Sequence, residues 1–189
     1  MTPRVFVDTN VLFPFSVMDL LLALTEDMVH TMLWTERLLG EWERVIVREQ
    51  QRSSTSAQAI TSAIRECFAD SRVPEDDYAS LTGVMPGTDS DDRHHMAAAL
   101  KGQASAIVTW NLGDFPSEPL ASLGLRVVDP DTYLRELLEE LPHEVVATVV
   151  RLAAEKRRPP RTPEDLVDGL AKAGVPGFAE CLRERLRAR

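Results

Sequence analysis

Three short apolar runs rich in β-branched residues constrain the fold more than any other feature: RVFV (4–7), AIVT (106–109) and LRVV (125–128). Each is too short for a buried helix and reads as a strand covered on both faces. The segments between them carry helical spacing. Residues 17–28 place Leu20, Leu21, Leu24 and Met28 on one face, and Thr35 reads as the N-cap of a helix through Leu38, Leu39, Trp42 and Ile46. Further helices are expected over 57–68, 92–101, 130–141 and 145–156, while 30–34 reads only as a short apolar piece. Strands alternating with helices build a parallel sheet covered on both sides. The expected class is therefore α/β: a three-layer α/β/α sandwich with a central parallel sheet over residues 4–141, plus a C-terminal helical extension over 142–189.

The chain of 189 residues is long enough to bury a sizeable core. Apolar stretches such as residues 20–24 are far too short to span a bilayer, and Asp8 arrives before a signal-like segment can develop, so a cytoplasmic protein is expected. Cys67 and Cys181 have no metal-type spacing and read as idle or buried thiols. The net charge of -9 argues against broad affinity for nucleic acid, although the charge is uneven. Of 21 Lys/Arg and 30 Asp/Glu, residues 143–189 hold 10 and 7, leaving 11 against 23 for the rest.

Ligands of open parallel sheets gather beyond the carboxyl ends of the strands. Asp8 ends the first run and Asp114 follows the second, while Glu41 and Asp92 sit on helices able to frame the same crevice. Four converging carboxylates repel one another and raise their own pKa values unless a cation intervenes. Mg²⁺ or Mn²⁺ is the hard, oxygen-seeking ion such a set suits. Each acid also has a plainer reading. Asp8 is a possible helix cap, Glu41 a solvated helix residue, and Asp114 an Asx-turn residue. Asp89, Asp91 and Asp92 suit a helix N-terminus. His94 and His95 read as a helix-surface residue and a packed imidazole, and Trp34, Trp42 and Trp110 as core or rim packing.

Taken together, four segments resemble the PIN-domain family, in particular VapC-type toxins of toxin–antitoxin pairs: VFVDTNVL (5–12), TERLLGEW (35–42), DSDDRHHMAAAL (89–100) and IVTWNLGDFP (107–116). The resemblance covers roughly residues 4–140. It implies a Mg²⁺- or Mn²⁺-dependent endoribonuclease whose catalytic, metal-holding quartet falls on Asp8, Glu41, Asp92 and Asp114. Asp91 stays open as an alternative to Asp92, and Glu36 is the weaker alternative to Glu41. Asn10, Thr109 and Asn111 match supporting positions that orient acids and water. Also implied are an RNA substrate, a small antitoxin partner and a homodimer, with no membrane association.

The extension exceeds what the smallest family members carry. Its Arg157, Arg158 and Arg161 are candidate phosphate contacts, and packing on the body or on a second subunit is the plainer role. The competing function is a non-catalytic PIN-like module that binds RNA or protein. A phosphatase using two aspartates two residues apart is disfavoured because Asn10 holds the second position, and a dinucleotide oxidoreductase because no GxGxxG follows the first strand.

Overall fold

A computed structural model describes residues 2–49, 51–87, 89–156 and 161–188, with the Asp91 side chain outside that set; Arg157 and Arg158 also lie outside it. Among the described residues the chain forms one four-stranded, all-parallel sheet in the order β2-β1-β3-β4. The strands are β1 (Arg4–Val7), β2 (Thr31–Leu33), β3 (Ala106–Val108) and β4 (Arg126–Val128). β1 lies between β2 and β3, with Phe6 opposite Leu33 and Ile107. Val5, Phe6, Val7, Ile107 and Val108 are fully or almost fully buried, which is why these runs are continuously apolar rather than alternating.

The helices are α1 (Phe15–Glu26), α2 (Glu36–Arg48), α3 (Ser54–Cys67), α4 (Glu75–Tyr78), α5 (Ser90–Lys101), α6 (Ser117–Ser122), α7 (Pro130–Glu140), α8 (Pro142–Glu155), α9 (Pro163–Lys172) and α10 (Pro176–Arg187). Local chemistry starts several of them, and the expected Thr35 cap is present. The Thr35 hydroxyl accepts the Leu38 N–H, and Thr162 and Asp165 close a reciprocal capping box at α9. None of these helices is long and apolar enough to cross a membrane.

Two local expectations are corrected. The piece at 30–34 supplies the edge strand β2, too short for its pattern to declare a strand. The first helix stops at Glu26, before Met28. The Val29 and Met28 N–H groups bond back to the carbonyls of Leu24 and Thr25, and Met28 takes the left-handed conformation (φ 56) with its side chain exposed. That is the Schellman ending of a helix, with methionine where glycine is usual.

Residues of the extension belong to the same continuous core as the sheet: Val145, Val149, Val167, Leu170, Phe178 and Leu182 are buried in it. Thr148 on α8 donates to Asp27 at 2.6 Å, and Arg151 reaches Glu26 and Asp27 at the end of α1. Trp34 and Trp42 are core residues whose indole N–H groups donate to the carbonyls of Phe68 and Leu12. Cys67 is exposed and Cys181 partly buried, both as free thiols.

His30 joins α1 to α7. Its Nε2 lies 2.9 Å from the Leu21 carbonyl and its Nδ1 2.6 Å from the Tyr133 hydroxyl, so the neutral ring donates to α1 and accepts from α7. Complete burial holds its pKa down, against the Leu21 bond, to about 4. The unfolded chain binds the proton first, so this contribution to stability is whole above pH 6.5 and is lost as the pH falls towards 4. The loss amounts to about 3 kcal/mol. Urea unfolding between pH 7 and pH 4 should show that component in the wild type and lack it in His30→Gln; parallel pH slopes for the two proteins would disprove it.

Candidate active site

The pairing of β1 with β3 continues one residue beyond the strands, because the Asp8 N–H donates to the Val108 carbonyl at 2.9 Å. This delivers Asp8, 6% exposed, beside Thr109 at the carboxyl end of the sheet. A single-turn 3₁₀ segment (Thr9–Leu12) follows, but the Asp8 side chain makes no capping bond to it. Instead, Asp8 Oδ2 accepts from Thr109 Oγ1 and from Asn10 Nδ2, each at 2.7 Å. Asn10 Nδ2 also donates to Thr109 Oγ1 at 3.2 Å, and its Oδ1 accepts the Trp110 N–H at 3.2 Å. Of the three expected supporting residues, Asn10 and Thr109 therefore touch Asp8 through side chains. Asn111 is exposed and contributes its backbone N–H to Thr109 Oγ1 at 3.0 Å.

Two groups of acids lie around Asp8. Glu41, on α2, directs Oε1 to Arg37 Nε at 3.2 Å and Oε2 to Thr9 Oγ1 at 3.3 Å. Between Glu41 and Asp8 sits His95 of α5, only 4% exposed. Its Nδ1 is 3.2 Å from Asp8 Oδ1 and its Nε2 is 3.2 Å from Glu41 Oε2, within ion-pair reach but off the line of the ring N–H bonds. Burial opposes an imidazolium here, yet the two carboxylates outweigh it and raise His95 to about 9. For Glu41, too, burial works against ionisation, and His95 with Arg37 overcomes it, leaving the carboxyl below its ordinary value.

Across the site, Asp89, Asp92 and Asp114 line one cleft walled by Pro86, Pro116 and Pro119. Asp92 is pushed up to about 6 by burial and then by the negative charges of Asp89, Asp8 and Asp114, which outweigh the opposing charge of His95. Asp114 is exposed at the end of a 3₁₀ turn (Leu112–Asp114). The facing turn is shaped by Gly87 (φ +103), where a Cβ would come within 3.3 Å of Met96 and 3.8 Å of the Asp114 carbonyl.

The structure thus brings Asp8, Asp92 and Asp114 into one electrostatic field and draws Glu41 into a clasp with His95, which Asp8 shares. Among the described residues no three His, Cys, Asp or Glu side chains stand close enough to enclose an ion. Three carboxylates, those of Asp89, Asp8 and Asp114, nevertheless act on Asp92 and outweigh His95, a repulsion that a hard divalent cation relieves. Glu36 points elsewhere, accepting from Arg65 at 2.9 Å. His94 packs edge-on against Tyr78 as a partly buried surface residue.

His95 departs from its reading as a plain packed imidazole. It does pack on Phe6, with ring centroids 5.4 Å apart, but its polar edge bridges two acids. Its position three residues after Asp92 puts the two on the same helix face, a signal the spacing carried.

A family model described as PIN domain matches residues 4–113, and one described as VapC50 C-terminal domain matches residues 130–184. Among curated proteins, "Putative ribonuclease VapC50" of Mycobacterium tuberculosis is 35% identical over 88 residues, which is 47% of this chain and 52% of that protein. The match therefore spans about half the length of that relative. No solved structure matches significantly.

If His95 is the counter-charge that keeps Asp8 and Glu41 together, its loss leaves the buried Asp8 carboxylate without a cation and half-buried Glu41 with Arg37 alone. In urea unfolding with EDTA, His95→Ala should lose about 3–5 kcal/mol. His95→Phe, which fills the volume without the charge, should lose a similar amount. A loss under about 1 kcal/mol in both would show that the ring is not the counter-charge.

Proposed function

The chain belongs to the PIN-domain family, and on that premise we propose that it is a divalent-metal-dependent endoribonuclease of VapC type, hydrolysing RNA phosphodiester bonds. The observation that carries this reading is the field around Asp92, where burial and three further aspartates hold the carboxyl near pKa 6. In this reading residues 4–141 form the nuclease unit and 142–189 its helical extension. It acts in the cytoplasm as a homodimer restrained by a small antitoxin protein, a partnership inferred from the likeness to VapC50.

Asp8, Asp92 and Asp114 are the groups suited to hold Mg²⁺ or Mn²⁺, and Glu41 completes the quartet from its clasp with His95. When bound, the ion supplies charge neutralisation at the scissile phosphate and lowers the pKa of water. The chain's own residues do the rest. Thr109 and Asn10 fix Asp8 Oδ2, and Oδ1 faces His95. Arg37 and His95 hold Glu41 ionised, so it adds negative field without moving. Because His95 is enclosed between two carboxylates, we assign it a positioning role rather than that of general base.

The second reading, a non-catalytic module that binds RNA or protein, draws on the near-complete engagement of Glu41 by Arg37, Thr9 and His95. One experiment separates the two. Purified protein with Mn²⁺ should cleave RNA, EDTA should abolish cleavage, and Asp8→Asn should lose activity on the order of 10²–10³-fold. Binding without cleavage by the wild type would favour the module, and EDTA-insensitive cleavage equal in both proteins would overturn the metal mechanism.

A further inference from the structure

We propose that the C-terminal helical extension is a working part of the acidic site, and that Trp110 is the positioning residue through which it acts. This rests on the site assignment above. The segment leaving β3 holds Asp8 in three ways. Thr109 Oγ1 donates to Asp8 Oδ2 at 2.7 Å, and the Asn111 N–H steadies that hydroxyl at 3.0 Å. The Trp110 N–H takes Asn10 Oδ1 at 3.2 Å, which turns Asn10 Nδ2 onto Asp8. Residues 109–111 therefore form the frame of the carboxylate.

The indole of Trp110 meets the extension. Gly174, between α9 and α10, lies directly over the ring: a Cβ there would come within 3.2 Å of Cη2 and 3.3 Å of Cζ2. Its φ of +103 is also a conformation that side-chain-bearing residues rarely adopt. The turn is anchored at the same end of the sheet. Val175 is wholly buried, and the Phe178 N–H donates to Asp131 Oδ1 at 2.8 Å, in the first turn of α7 just after β4. A Cβ at Gly177 would come within 2.5 Å of Asp131 Oδ2, so a side chain there would have to displace the carboxylate that accepts the Phe178 N–H. β4 in turn accepts the Thr109 N–H through the Val128 carbonyl at 3.1 Å. Packing and hydrogen bonds thus run without a gap from α10, through the Gly174 turn and the indole, to Asp8. Removing the cover from the indole frees residues 109–111 to shift, and displacement of a catalytic group by about 1 Å costs up to about a hundredfold in rate.

The test uses the full chain with Trp110→Ala, Trp110→Phe and Gly174→Ala, which disturb the contact from its two sides. In metal-free protein, amide hydrogen exchange at positions 110 and 111 should rise about tenfold or more in Trp110→Ala and Gly174→Ala, while the amides of β1 stay protected. Trp110→Phe should restore most of the protection. With Mn²⁺ and RNA, kcat should fall about ten- to a hundredfold, with KM within about twofold of the wild type. Unchanged exchange at 110 and 111, or acceleration spread evenly over the sheet, overturns the proposal. So does local acceleration that leaves kcat intact. A wild type that cleaves no RNA refutes the proposed function instead, and the exchange data then decide the positioning claim alone.

Discussion

The parallel pairing of β1 with β3 is the constraint on which the site depends. Residues about a hundred positions apart become neighbours because Val5, Phe6 and Val7 run alongside Ala106, Ile107 and Val108. The ladder reaches Asp8 through its bond to the Val108 carbonyl. A one-residue slip would turn Asp8 to the opposite face and separate it from Thr109. Register is secured by burial: β1 is interior and apolar on both faces, so a slip that drew Asp8 into the paired span would bury its carboxylate away from Thr109 and Asn10.

On that frame, electrostatics divides the acids into two sets. Glu41 and one oxygen of Asp8 are balanced from within by His95 and Arg37. Asp92 has no such balance, since the charges of Asp89, Asp8 and Asp114 add to its desolvation and outweigh His95. Crowded acids that packing brings together, with internal cations assigned to one side only, form an asymmetric pocket. The unbalanced side is where an external cation gains most, and the balanced side holds its shape without one. This accounts for the proposed division of labour, with Asp92 and Asp114 open to the cleft and Glu41 held in a clasp.

The extension belongs to the same construction. Thr148 and Arg151 hold the end of α1 through Asp27, and the Gly174 turn covers Trp110 beside Asp8. These contacts share one buried core with the sheet, so the helices after residue 141 support the body over a broad area. The two glycines of the GVPG segment matter for different reasons: Gly174 for its backbone and the indole against it, Gly177 for the closeness of Asp131.

The sequence by itself determined the parallel α/β class, three of the four strands and the Thr35 cap, because these depend on local periodicity and on residue chemistry at element ends. It also held the motifs that mark the PIN-domain family. It did not disclose β2, since three residues leave no pattern to read, nor the end of the first helix, since Met28 occupies a left-handed position for which its side chain carries no signal. Only the tertiary structure decided that His95 stands between Asp8 and Glu41 and that Trp110 lies against Gly174. Each of these depends on distances between segments far apart in the chain, and such distances are set by how the core packs rather than by any local preference.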